Sequence, residues 1–211
     1  MCYFLRMPNK NTLKVYAPNH YYHVYNRGWN RSRIFLYPED YIFFENLLIQ
    51  RLSPTPLKDM RGREYMWLRE TIDLNAYCLM SNHFHFLIYQ RSEAAMTKLL
   101  QSVCTAYTLY FNRKYKKRGP LFETRFKAVL VVSDEQLRHI TRYIHLNHWS
   151  FRDWPHNSYG DYLGTTREWL EPKSILELFP DAEHYRAFVE DYEAMQRSND
   201  KLKRELASYT I

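Results

Sequence analysis

Glycine is scarce, with only five in 211 residues. A phosphate-cradling loop spends several glycines within a few positions, so that route to nucleotide binding is excluded on supply. Cysteine is scarce too: Cys2, Cys78 and Cys104 are odd in number, far apart, and never form a C-x-x-C pair. That argues against a disulfide framework or a zinc finger and for a reducing cytosol. No apolar run approaches the roughly 18 residues of a membrane span. The first fourteen residues are broken by Arg6, Pro8, Asn9 and Lys10 and do not read as a secretory signal. A cytoplasmic protein with no membrane partner is the expectation. Acid is the minority charge, 23 Asp and Glu against 30 Lys and Arg, while aromatics reach 17%. A basic, aromatic-rich chain calls for a polyanionic partner, nucleic acid first. The length allows one moderate domain with decorations or two small ones, and no internal repeat divides it.

Along the chain, residues 1–19 read as an extended lead-in punctuated by Pro8 and Pro18. Residues 20–26 are aromatic and β-branched, a first strand, closed by a turn at Asn26-Arg27-Gly28. Pro38-Glu39-Asp40 opens a helix reaching about Leu52, with Ile42, Phe43, Leu47 and Leu48 as its apolar face. In 71–80, Ile72, Leu74, Ala76 and Cys78 alternate with Asp73, Asn75 and Tyr77, the pattern of a half-buried strand. Met80-Ser81-Asn82 then turns into a strand over 83–89. Ser92-Glu93 begins a second helix, whose Met96, Leu99, Leu100, Val103, Tyr107, Tyr110 and Phe111 keep a helical period. It ends in Arg113, Lys114, Lys116, Lys117 and Arg118 around Tyr115, either a phosphate-contacting run or a solvated helix end. Residues 124–132 form a further strand, basic at Arg125 and Lys127, and Ser133-x-x-Gln136 caps a third helix running to about Asn147. Helical stretches near 173–179 and 181–206 follow, the latter with Tyr185, Phe188, Tyr192 and Met195 as a packing stripe. The order strand, helix, strand, strand, helix, strand, helix fits an α+β, ferredoxin-like sandwich with an antiparallel sheet. The expected division is a lead-in over 1–19, a domain over 20–165 and a helical extension over 166–211.

The chemistry centres on Asn82-His83-Phe84-His85-Phe86. On a strand, residues two apart share a face, so His83 and His85 stand with Leu87 opposite an apolar Phe84, Phe86, Ile88 face. Two imidazoles begin a metal site, or they are ordinary half-buried histidines. On the third helix Tyr143 and Asn147 lie 40° apart at 100° per residue, on one flank of the Leu137, Ile140, Ile144 stripe. An Asn147 oxygen could complete the site, with the Tyr143 hydroxyl poised to attack a phosphorus and Arg138 and Arg142 nearby. Spacing alone leaves this open, because Tyr22, Tyr41 and Tyr192 also have Asn, Glu or Gln four residues on. Tyr107 and Tyr110 are fallback nucleophiles, though helical packing accounts for both.

Several segments together carry a resemblance. Residues 22–28, 80–86, 119–131, 142–147 and 154–159, in this order, resemble the single-tyrosine HUH transposases of the IS200/IS605 type, especially the REP-associated tyrosine transposases. The resemblance implies an HUH nuclease fold, with His83 and His85 as the HUH pair, Asn147 as third ligand and Tyr143 as nucleophile. It also implies a Mg²⁺ or Mn²⁺ cofactor, where imidazoles alone would have favoured zinc or another transition metal. The implied activity is single-stranded DNA cleavage and strand transfer beside hairpins through a 5′-phosphotyrosine, by a monomer or homodimer. Arg27, Arg31 and Arg33, with the basic groups above, are the expected DNA contacts. The chain departs from the family after Asn147, where His148-Trp149-Ser150-Phe151 replaces the usual Pro and basic stretch. A domesticated, catalytically silent protein binding structured DNA is the alternative. A zinc hydrolase is a third reading, but the sequence offers it neither a general base nor a third histidine.

Overall fold

A computed structural model of the protein describes residues 16–165 and 167–194. The expectations for residues 1–15, for Met195 and for the end of the last helical stretch lie outside the described residues. Four strands, β1 (His20–Arg27), β2 (Ile72–Met80), β3 (His83–Gln90) and β4 (Lys127–Val131), form one sheet in the order β2-β3-β1-β4. Every neighbouring pair is antiparallel. Helices α1 (Pro38–Leu52) and α2 (Ala95–Lys114) pack on one face of the sheet; α3 (Asp134–His145) and α4 (Lys173–Leu176) pack on the other. A further helix, α5 (182–194), joins the second side. This is the α+β, ferredoxin-like sandwich with an antiparallel sheet.

The sheet is buried on both faces, and β3 sorts its residues as alternation requires. Phe84, Phe86 and Ile88 enter the core with Phe44, Leu48, Leu99 and Tyr107, whereas Leu87 enters a second core with Ile144, Tyr185 and Val189. Apolar burial of this kind contributes about 25 cal/mol per Å². The segment expected as an extension therefore supplies part of the second of the two cores.

β2 departs from simple alternation. Leu74 pairs with Ile88 and Ala76 with Leu87, so Asn75 is an inserted residue, a β-bulge. The face flips there: Ile72, Leu74, Tyr77 and Leu79 lie in the first core, Ala76 and Cys78 in the second. The expected single stripe Ile72, Leu74, Ala76, Cys78 is thereby divided. Asn75 is fixed by its Nδ2, which donates to Glu171 O at 2.8 Å, and by its carbonyl, which accepts from Tyr162 Oη at 3.0 Å.

The helix termini follow local chemistry. The Asp40 carboxylate accepts from Leu36 N and Tyr37 N at 2.8 and 3.1 Å, and so starts α1. The buried stripe of α1 is Tyr41, Phe44, Leu47, Leu48 and Leu52, while Ile42 is 51% exposed. α2 begins at Ala95 rather than Ser92, because Ala94 takes a left-handed conformation (φ 62°). Ser133 Oγ accepts from Gln136 N at 3.2 Å, the expected cap of α3. α3 ends at His145, so Asn147 lies just beyond it. Gly28 is required where β1 turns. A Cβ there would collide with the Ser32 carbonyl and Ile34 Cγ2, and its N–H donates to Asn82 O at 2.8 Å, tying the end of β1 to the entrance of β3.

Candidate metal and phosphoryl-transfer site

Strand register builds the site. His83 is opposite Arg27 and His85 opposite Tyr25, which is itself opposite Lys127 on β4. Directly opposed residues share a face, so these side chains form a patch on the α3 side of the sheet. α3 then brings Tyr143 over it. The Tyr143 ring meets His85 edge-on at a centroid distance of 5.4 Å and His23 at 5.8 Å, and 48% of the residue stays exposed. Asn147 Nδ2 donates to the Tyr143 carbonyl at 2.8 Å, which aims the amide oxygen elsewhere, and the Asn147 side chain hydrogen-bonds His83. The His83/His85 pair and the Tyr143/Asn147 pair, more than 50 residues apart in sequence, are thus brought together.

The imidazoles are held neutral. Burial lowers the pKa of His85 to about 3, helped by His23 and His83 beside it. Burial also lowers that of His83, partly offset by the Asn147 hydrogen bond and assisted by the Arg27 charge. Neutral imidazoles keep the lone pair a cation needs. The Nδ1 of each is already engaged, that of His83 with Asn82 Oδ1 at 2.6 Å and that of His85 with His23 Nε2 at 2.9 Å. With Nδ1 engaged, Nε2 is the ring nitrogen left to each of them for a cation. Two imidazole nitrogens and the Asn147 oxygen make a neutral three-donor set that could hold a divalent cation and leave positions for a phosphate. Among the described residues, no group of three or more His, Cys, Asp or Glu is spaced to hold a metal ion, so the set needs the amide.

A cavity of about 320 Å³ opens beside the histidines, lined by Tyr25, Arg27, Asn82, Glu123, Thr124 and Lys127 among others. Its charge is mixed, since Arg27 pairs with Glu123 at 2.9 Å and Lys127 lies over the Tyr25 ring at 5.8 Å. Arg31, Arg33, Arg113, Lys116, Lys117, Arg118, Arg125 and Arg138 are exposed. Two of the expected DNA contacts also have partners within the protein. Lys114 Nζ sits 2.7 Å from the fully buried Asp40 carboxylate and 2.9 Å from Tyr110 Oη. Arg142 lies over the Phe188 and Tyr192 rings at 4.1 and 3.9 Å and donates to Phe188 O at 3.2 Å. A guanidinium stacked between rings is an anchor for α5. The fallback nucleophiles are also accounted for: Tyr107 is buried and donates to Ile34 O, and Tyr110 donates to Asp40 at 3.0 Å.

His23 and Tyr25 are parts of the site that sequence reasoning does not single out. His23 and Tyr25 lie in the aromatic run of β1, but nothing in that run says which residue on β3 each one faces.

Residues 64–147 match the family model described as "Transposase IS200 like". Among solved structures, the chain is similar to one described as a REP-associated tyrosine transposase bound to a REP hairpin. That likeness has 14% identity, covers 72% of this chain and 84% of that one, and has a TM-score of 0.51. At this identity the likeness speaks for the fold. No curated protein sequence matches. The family match spans both the His83/His85 strand and the Tyr143 helix, so over residues 64–147 the chain is similar to the IS200-like transposases.

Proposed function

We propose that the protein is a metal-dependent single-stranded DNA endonuclease and strand transferase of the REP-associated kind, acting beside DNA hairpins. The observation that carries this reading is the approach of Tyr143 to His85, with Asn147 hydrogen-bonded to both the Tyr143 backbone and His83. The hairpin partner is supported by the REP hairpin held by the similar solved structure. Among the described residues no helix is long and apolar enough to cross a membrane, and a cytoplasmic location is part of the proposal.

His83 Nε2, His85 Nε2 and Asn147 Oδ1 would hold Mg²⁺ or Mn²⁺. A cation held there would supply Lewis-acid polarisation of the scissile phosphate. The half-exposed Tyr143 hydroxyl attacks the phosphorus. A Tyr Oη–P bond forms and the P–O3′ bond breaks, the phenol proton leaves to solvent, and the departing 3′ oxygen takes one up. The product is a 5′-phosphotyrosine and a free 3′ hydroxyl, and a second 3′ hydroxyl can reverse the step without ATP because the ester bond is conserved. Arg27, Arg125 and Lys127 border the histidine side and suit phosphates of the incoming strand. One chain carries the whole set, which fits a monomer as well as a homodimer.

The test is incubation with hairpin-bearing single strands and Mn²⁺, followed by a denaturing gel. A slow covalent band is expected from the natural chain and none from Tyr143→Phe. Hairpin retention without any covalent band would replace this reading with a silent binding protein.

A further inference from the structure

We propose that His23 is a positioning residue that sets the tautomer of His85 and so presents the Nε2 lone pair of His85 to the cation. This rests on the reading of His85 as a ligand. His23 Nε2 and His85 Nδ1 are 2.9 Å apart, and the two rings stack at 5.1 Å with an interplanar angle of 16°. His23 is held from its other side by Tyr25, stacked at 5.2 Å, while the Tyr143 ring stands edge-on to it at 5.8 Å. The strand register accounts for the approach. His23 pairs with Leu87 and Tyr25 with His85, so His23 reaches His85 on the diagonal of the same face.

A neutral imidazole carries one N–H, and the short approach admits one proton between the two nitrogens. If that proton sits on His85 Nδ1, His23 accepts it and His85 Nε2 is free to ligate. If it sits on His23 Nε2, His85 must be protonated at Nε2 and cannot ligate. Binding at Nε2 therefore demands His23 as acceptor. Because His85 is only 6% exposed, water is a poor substitute for that acceptor. His23 is no third ligand, since its Nε2 is spent on His85 and no three such side chains converge among the described residues. Metal-bound histidines commonly donate to a carboxylate, backbone carbonyl or water. Here both acceptors, His23 and Asn82, are neutral side chains, so the cation would keep its full charge for the phosphate.

The test uses the full chain carrying Tyr143→Phe, which separates metal binding from cleavage. In that background His23→Gln keeps an acceptor oxygen and His23→Leu removes it. Calorimetric titration with Mn²⁺ is expected to show about 10- to 100-fold weaker binding for the Leu variant, the range for losing an outer partner of a ligating histidine, and a largely restored affinity for Gln. Long-range ¹H–¹⁵N spectra of the protein with Mg²⁺ are expected to show His85 protonated at Nδ1 when His23 is present. An Nε2-protonated His85, a Leu variant that binds Mn²⁺ normally, or a Gln variant no better than Leu would each overturn the role of His23 alone. No Mn²⁺ binding with His23 intact would instead overturn the ligand reading of His85, and this inference with it.

Discussion

Asp40→Asn is the substitution whose cost can be worked most fully from the structure. Asp40 is fully buried at the start of α1. Its two oxygens accept from Leu36 N at 2.8 Å, Tyr37 N at 3.1 Å, Tyr110 Oη at 3.0 Å, Lys114 Nζ at 2.7 Å and Tyr115 Oη at 2.7 Å. Burial alone would raise its pKa, but the bonds from Lys114, Tyr115 and the two backbone N–H groups outweigh that and hold it below the usual carboxylate value. An amide of the same shape offers one acceptor and turns an N–H₂ toward donors. Uncoupling one partner of a buried pair costs about 3–5 kcal/mol. Lys114 is 31% exposed and can turn to water, so the low end, about 3 kcal/mol, is expected, or roughly 6–12 °C in Tm for a chain of this length. Lys114→Met leaves the fully buried carboxylate without its counter-ion and should cost a similar amount, about 3 kcal/mol, because four neutral donors still reach the carboxylate. Urea unfolding followed by circular dichroism measures both. A folded-state pKa below the unfolded one means that the Asp40 contribution is present above about pH 4 and is lost on acidification, so the curves of the natural chain and of Asp40→Asn should converge there. A cost under about 1 kcal/mol at pH 7, well short of what a buried charge pair commands, would refute the idea that this carboxylate pins the end of α2 to the start of α1.

Two further outcomes are expected. Replacing Arg125 and Lys127 by Ala should weaken binding to a hairpin-bearing strand and reduce the slope of log K against log salt by about one for each phosphate no longer neutralised; Lys114→Ala should change that slope little, because Asp40 already holds its charge. His145 is buried between Ser158 Oγ at 2.8 Å and Tyr185 Oη at 2.6 Å, and burial lowers its pKa to about 3. Its stabilising contribution is therefore present above about pH 6.5 and is lost as pH falls toward 3, at up to roughly 1.4 kcal/mol per pH unit. Urea midpoints in EDTA should fall through this range, and fall less steeply for His145→Gln; equal slopes would contradict it.

Local chemistry makes several features legible without coordinates. Pro38-Glu39-Asp40 and Ser133-x-x-Gln136 announce helix starts because capping is satisfied within four residues, and the period of two in 83–89 sorts Phe84 and Phe86 from His83 and His85 for the same local reason. Where a single inserted residue intervenes, as at Asn75, the period misleads, since only the hydrogen-bond ladder to β3 shows that two residues face one. Ile42 illustrates the same limit on a helix: the apolar residues of α1 are readable, but which of them meet the sheet is not.

Alone, the chain determined its elements and their order, because propensity, capping and periodicity act over a few residues, while the pairing of two imidazoles with a distant Tyr and Asn came only as what the resemblance implies. Only the tertiary structure decided that α3 crosses the His85 face, that His23 comes within hydrogen-bond reach of that ring, and that Lys114 and Arg142 are spent on Asp40 and on α5. Those outcomes depend on strand register and on competition among long-range partners, and neither is encoded within any one segment.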